Sequence, residues 1–300
     1  MLTSIRGIVA ASFVTGLALS AGPGFAETPA PENEFDLAAV LAAADVTVEV
    51  ADIEAAVPAV DYASVNRAGA ESSIEISGNV ALVSEYRFRG VDLSGGDIAA
   101  QGGVDLSHSS GLYLGTWGSS LDEDTVGFGH TEIDFYAGFG GALTDGVTFD
   151  LGAIAYLYPN AGSGDFDYVE AYGSVGFSIG PAESTLGIAF APKQKSLGGT
   201  DNFYIYTDLA FGIPETPFSV IGHVGYTDGF LTFTNDGKAF DWSIGVEAAI
   251  AGPLSIGIAY VGAEGSPSLL DDGGTPTDPL DDFVYNFTDD AIVFTLSASI

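Results

Sequence analysis

From Ser73 onward, apolar and polar side chains alternate with a period of two. In Thr131–Phe139 (TEIDFYAGF), Ile133, Phe135, Ala137 and Phe139 fall on one side and Glu132, Asp134, Tyr136 and Gly138 on the other. Tyr168–Ile179 repeats the arrangement, with Val169, Ala171, Val175, Phe177 and Ile179 opposite Glu170, Tyr172, Ser174 and Ser178. In Asp241–Ile250, Trp242, Ile244, Val246, Ala248 and Ile250 oppose Asp241, Ser243 and Glu247. The last segment places Ile292, Phe294, Leu296, Ala298 and Ile300 together. Successive side chains of a strand face opposite ways, so each segment is a strand with one greasy face and one polar or small face.

The same rule predicts twelve strands, at about 76–90, 97–107, 111–119, 130–141, 147–158, 167–179, 183–192, 201–212, 217–227, 240–251, 253–262 and 289–300. Alternation alone also fits a soluble sandwich. Three features favour a barrel in lipid. The strands are long. Aromatic residues sit near the ends of apolar faces, as with Tyr86 and Phe88, Phe203 and Phe211, Phe218 and Tyr226, and Tyr260, like the girdles of membrane barrels. The connections alternate in length. His108–Ser110, Leu143–Gly146, Gly180–Ala182, Ile213–Thr216 and Gly252–Pro253 are short, whereas Leu121–Gly129, Asn160–Phe166, Lys193–Gly199, Asp228–Ala239 and Gly265–Thr288 are longer and polar. The expected fold is all-β: one antiparallel up-and-down transmembrane barrel of about 12 strands over residues 73–300, with short periplasmic turns and long outer loops.

The N-terminal part reads differently. Met1–Arg6 carries one positive charge, Gly7–Leu19 is mostly apolar, and Gly24-Phe25-Ala26 ends in small residues. Residues 1–26 read as a signal peptide. Residues 27–72 hold ten acidic residues and one basic one, Arg67, and read as an acidic, flexible periplasmic extension. After Ala26 no apolar run reaches the roughly 18 residues of a membrane helix, so entry into a membrane must be by strands.

Composition narrows the function. With 41 acidic residues against 7 basic and a net charge of -34, nucleic acid is excluded as a partner, because phosphate binding needs clustered Lys and Arg. The chain has no cysteine and only 3 histidines, so no metal site or cofactor is expected. By parity the interior candidates are Glu85, Arg87, Arg89, Gln101, Asp105, Glu132, Asp134, Asp150, Glu170, Tyr172, Asp208, Asp241 and Glu247, nine of them acidic and two arginine. An inward negative field walled by low dielectric enriches cations. Glu85, Arg87 and Arg89 alternate on the predicted first strand and form a charged constriction, or pair with interior carboxylates and rigidify a closed barrel.

Asp271, Asp272, Asp278, Asp281 and Asp282 in the Ser268–Asp282 loop, and Asp122-Glu123-Asp124, read as solvated loop acids. His108 and Ser110, two residues apart, are the one candidate for outer-membrane lipolytic catalysis. A hydrolytic triad needs a third, orienting group, and none is evident near this turn, so the chain is expected not to be an enzyme.

Asn79–Gly90 (NVALVSEYRFRG), Gln101-Gly102-Gly103, Leu112–Ser119 (LYLGTWGS), Glu132–Gly138 (EIDFYAG), Tyr158-Pro159 and Tyr168–Gly173 (YVEAYG) resemble the TorF-type porins, a proteobacterial family first catalogued as of unknown function. The resemblance runs from about Asn79 to Ile300 and is stronger in the first half. It implies an outer-membrane channel whose partners are membrane lipid, small solutes and the barrel assembly machinery. Such barrels commonly end in an aromatic residue, whereas this chain ends in Ile300, with Phe294 nearby. The expected function is passive diffusion of small solutes across the outer membrane, with a preference for cations or neutral solutes. A non-conducting structural or adhesive barrel is the alternative, and the sequence does not define an oligomeric state.

Overall fold

The computed structural model describes residues 74–123, 127–162, 166–232, 234, 236–265 and 289–300. The expected signal peptide, the 27–72 extension, Asp124 and the acids of the Ser268–Asp282 loop lie outside them. The strands are β1 (Ile74–Val83), β2 (Arg87–Phe88), β3 (Val91–Asp92), β4 (Ala99–His108), β5 (Leu112–Ser120), β6 (Thr131–Thr144), β7 (Val147–Leu157), β8 (Tyr168–Ile179), β9 (Ala182–Ala191), β10 (Asn202–Gly212), β11 (Phe218–Gly229), β12 (Lys238–Ala251), β13 (Leu254–Gly265) and β14 (Ala291–Ser299).

The twelve long strands form one closed barrel in the order β1-β14-β13-β12-β11-β10-β9-β8-β7-β6-β5-β4. All pairings in the wall are antiparallel, and the seam runs from Asn79↔Ser299 to Val83↔Thr295. The seam continues to the last residue, because Gly78 and Ile300 exchange backbone hydrogen bonds of 3.0 and 2.9 Å. Closure leaves no strand edge unpaired, which hydrocarbon requires because it offers backbone groups no partners.

Side-chain parity follows the sequence pattern. Ile76, Val80, Leu82, Leu114, Leu151, Ile188, Ile244, Ile258 and Phe294 are exposed on the outer wall. Charged and hydroxyl side chains of the same strands are enclosed. An apolar belt of this kind around a polar interior is the surface of a membrane-spanning barrel. The tight turns β4–β5, β6–β7, β8–β9, β10–β11 and β12–β13 gather at the end that holds both chain ends of the barrel (the turn end); the longer connections gather at the opposite, loop end.

One expected element differs. The first strand stops at Val83 instead of running to residue 90. Val83 and Ala99 are direct cross-strand partners, so the chain between them is an excursion that closing the β1–β4 hairpin does not need. It turns into the barrel. Tyr86, Phe88, Arg89, Val91, Asp92, Leu93 and Ser94 are all buried. Tyr86 and Phe88 are therefore interior residues rather than part of an aromatic girdle.

Candidate functional site: the barrel interior and its inward hairpin

The excursion is a built structure. β2 and β3 pair as Arg87↔Asp92 and Phe88↔Val91, leaving Arg89 and Gly90 as a two-residue turn. Both have positive φ, 49° and 80°, as a type I′ turn demands. Arginine rarely adopts this conformation, while glycine does so at little cost. The base is fastened by Asp92, whose carboxylate accepts from the Ser94 and Gly96 amides at 2.8 and 2.7 Å. Ser94 Oγ accepts from the Tyr86 amide at 2.8 Å, and the Leu93 amide donates to Tyr86 O at 2.8 Å.

The hairpin touches the wall on several sides. The Tyr86 ring meets the edge of Trp117 on β5 at 5.7 Å, and Phe88 meets Tyr156 on β7 at the same separation. Arg89 reaches β8, where Nη1 and Nη2 donate to the two oxygens of Glu170 at 3.1 and 2.6 Å. Its guanidinium also lies 4.2 Å from the ring centroid of Tyr204 on β10 and 4.7 Å from that of Phe88. At the tip, a Cβ on Gly90 would sit 2.5 Å from Ala263 Cβ on β13 and 3.1 Å from Asp241 Cβ on β12. Arg87 pairs with Glu85 and donates to the Gly90 and Asp289 carbonyls at 3.0 and 2.6 Å.

Around the hairpin the loop half of the interior is filled with rings. Tyr156 stacks on Tyr168 at 4.4 Å, Tyr204 stacks on Tyr206 at 5.5 Å, and Phe128 packs on Tyr158 at 4.6 Å. Leu197 and Leu231, on one-turn helices in the loop-end connections, are buried with them. The turn half is lined by smaller groups. Asn79, Ser107, Thr148, Ser219, Ser297 and Ser299 are only partly enclosed there, which leaves that half open to water.

Gln101, Asp105, Glu132, Asp134, Asp150, Glu170, Tyr172, Asp208, Asp241 and Glu247 are all enclosed within the barrel. Glu85, Arg87 and Arg89 differ: they belong to the hairpin and its approach, not to the wall. Alternation persists through them because β2 is itself extended, so parity is right while the location is not.

Most interior carboxylates are held by tyrosine hydroxyls. Tyr136 donates to Asp105, and Tyr113 donates to Asp150 at 2.7 Å while sharing a 2.6 Å bond with Tyr172. Tyr156 donates to Glu170 at 3.3 Å and Tyr158 to Glu132 at 3.4 Å. His223 bridges two carboxylates, with Nδ1 at 2.6 Å from Asp208 and Nε2 at 2.9 Å from Asp241. A carboxylate only accepts, so this arrangement is satisfied when both ring nitrogens donate. Asp134 stands apart. It is fully enclosed, and neither carboxylate oxygen has a hydrogen-bond partner among the described residues. The enclosed acids on the wall outnumber the interior cations Arg87, Arg89 and His223.

Sequence reading missed a further feature, the sockets in which the tyrosines lie. Tyr172 is the cross-strand partner of Gly152, and Tyr206 of Gly187. A Cβ added at Gly152 would fall 2.2 Å from the Tyr172 hydroxyl, and one at Gly187 2.2 Å from the Tyr206 ring. The missing side chain is what lets each ring lie flat along the wall, and it brings the Tyr172 hydroxyl to that of Tyr113 at 2.6 Å.

His108 and Ser110 sit in the β4–β5 turn at the turn end. Nδ1 of His108 lies 2.8 Å from Ser110 Oγ and 3.1 Å from the Ser110 amide. The amide donates to that nitrogen, so the ring serves to cap a tight turn.

A closed barrel with an apolar belt and an acidic, aromatic interior defines a membrane-spanning β-barrel protein. Residues 67–300 match the model of the family described as bacterial protein of unknown function (Gcw_chp), and the chain belongs to that family. A comparison with curated proteins gave no match. Among solved structures the chain is similar to the KdgM porin in complex with disordered oligogalacturonate, at 5% identity and TM-score 0.46, covering 76% of this chain and 98% of that one. It is similar to the NanC porin at 10% identity and TM-score 0.46, covering 75% and 99%. It is also similar to an outer membrane channel from Pseudomonas putida F1, at 10% identity and TM-score 0.44, covering 75% and 94%.

Proposed function

We propose that this protein is an outer-membrane channel of the TorF porin type that passes small cations and small neutral solutes. The turn end faces the periplasm and the loop end faces outside. The observation that carries the reading is the uncompensated acidity of the interior. The wall acids outnumber the three interior cations. A charge on the lipid face is costly, about 2–4 kcal/mol for an arginine or lysine at the midplane, so charged side chains of the wall turn inward. The small, partly hydrated lining of the turn half supplies a vestibule, and the inward hairpin closes the loop half, so passage requires the hairpin to move.

That closure also supports a second reading, a barrel that only displays its outer loops. Planar-bilayer recordings across a KCl gradient separate the two. The channel reading expects openings whose reversal potential lies toward the potassium equilibrium value. A reversal potential toward chloride removes the cation preference, and silence from both the full chain and a hairpin-shortened variant removes the channel.

A further inference from the structure

The Arg89 guanidinium occupies a recognition site formed largely by the barrel wall, in which Nη1 and Nη2 are met and Nε has no hydrogen-bond partner among the described residues. Glu170 on β8 takes it with both oxygens, at 3.1 and 2.6 Å. The Tyr204 face covers it at 4.2 Å and Phe88 backs it at 4.7 Å. The Tyr156 hydroxyl donates at 3.3 Å to the same Glu170 oxygen that accepts from Nη2. A carboxylate presented edge-on to a fork of N–H donors, with an aromatic face above the plane, matches the chemistry of a guanidinium and not that of an ammonium, which is a compact point charge without the planar fork. The group filling the site is not part of the wall. It hangs from the tip of a hairpin, on a residue whose φ of 49° lies in a region costly for a side chain that lacks the local hydrogen bonds of Asn or Asp.

We infer that the Glu170–Tyr204–Tyr156 site is a guanidinium receptor occupied by Arg89 as an internal ligand, and that an external solute bearing a guanidinium displaces Arg89 and frees the hairpin. Its consequence for conduction rests on the channel reading above; the binding site itself does not. A ligand tethered by a short segment competes with an effective concentration on the order of millimolar. Free guanidinium solutes therefore compete in the millimolar range, far below concentrations that unfold proteins. Displacement also relieves the backbone at residue 89. Because Tyr86 at the base of the hairpin packs against Trp117, release of the hairpin changes the surroundings of that indole. The chain has 2 tryptophans, and Trp242 lies on the outer face of β12, so W242F leaves Trp117 as the only reporter.

The experiment uses the refolded full chain carrying W242F in lipid vesicles, titrated with methylguanidinium chloride. Methylammonium chloride and sodium chloride at equal ionic strength are the controls. Trp117 emission is expected to shift with methylguanidinium in the millimolar range and not with the controls. In Arg89→Ala, emission starts at the shifted value, and the half-saturating methylguanidinium concentration, read by calorimetry, falls at least about tenfold because the tethered competitor is gone. Glu170→Gln abolishes the calorimetric signal. Arg89→Lys, which keeps the charge and loses the fork, binds methylguanidinium more tightly than the wild type does and covers the case in which the alanine variant fails to fold. Equal responses to methylguanidinium and methylammonium, or equal affinities in the wild type and both Arg89 variants, overturn the inference. If the affinities follow the expected order while no variant conducts in bilayers, the guanidinium site stands and the channel reading falls. Conduction without that order sinks the site alone.

Discussion

Replacing residues 84–98 with a short Asn-Gly turn is expected to give a barrel that still folds and conducts continuously, with conductance raised by an order of magnitude or more over the full chain. Folding survives because Val83 and Ala99 are already cross-strand partners, and a two-residue turn closes such a pair. The seam loses the bond from the Ser84 amide to the Phe294 carbonyl at 2.8 Å and that from the Phe294 amide to Ser84 Oγ at 2.9 Å, while the β1–β4 ladder and the seam from Asn79 to Val83 stay whole. Conductance rises because the hairpin contributes much of the buried filling of the loop half, including Tyr86, Phe88, Arg87, Arg89, Val91 and Leu93. Twelve strands enclose more space than the eight-stranded barrels that side chains alone fill, and less than the wide porins. With the excursion gone, the remaining rings line the wall instead of meeting a central partner. The excision removes Glu85, Asp92 and Asp97 together with Arg87 and Arg89, so the net charge of the interior hardly changes while Glu170 loses its partner. Single-channel recording of the two proteins in the same bilayer checks this. Equal conductance would mean that another element sets the constriction.

The second large effect concerns the sockets. Gly152→Leu is expected to abolish the folded barrel under conditions where the wild type refolds fully. The new Cβ would lie 2.2 Å from the Tyr172 hydroxyl and 2.8 Å from the Ala137 carbonyl. The second contact is backbone within the sheet and cannot swing away. Overpacking of a filled site costs typically about 1–3 kcal/mol, and here it adds to the loss of the Tyr113–Tyr172 hydroxyl bond and its tie to Asp150. The gel mobility of unheated against heated samples reads the outcome. Gly152→Ala carries the same Cβ without the rest of the side chain and should lower the folded fraction less than leucine does. Full refolding of the leucine variant would show that Tyr172 can leave its socket freely.

Much of this molecule is legible in its alternation. Strand positions in Thr131–Phe139, Tyr168–Ile179 and Asp241–Ile250 follow from which residues are greasy, because membrane barrels make one face meet lipid and the other water. Asp105, Glu132, Asp134, Asp150, Glu170, Asp208, Asp241 and Glu247 are enclosed for that reason. The inward hairpin is less legible. Val83 through Arg89 keeps a period of two after the chain has left the wall, and parity reports conformation, not location. The sequence does carry a hint in Arg89-Gly90 followed by Asp92 and Ser94, a two-residue turn signal beside an Asp that can hold backbone amides. The glycine sockets were out of reach for another reason. Tyr172 faces Gly152 only through the register of β7 against β8, a cross-strand relation that no single segment encodes.

The central physical claim is that one face of each strand lies against lipid and the other against a polar interior. Spin labels placed singly at positions 241–250 of β12, in the full chain reconstituted into vesicles, test it most directly. Collision with oxygen, which dissolves in lipid, should be high at positions 242, 244, 246, 248 and 250 and low at the positions between them, in strict alternation. Equal access of a water-soluble relaxing agent to both sets would contradict the account.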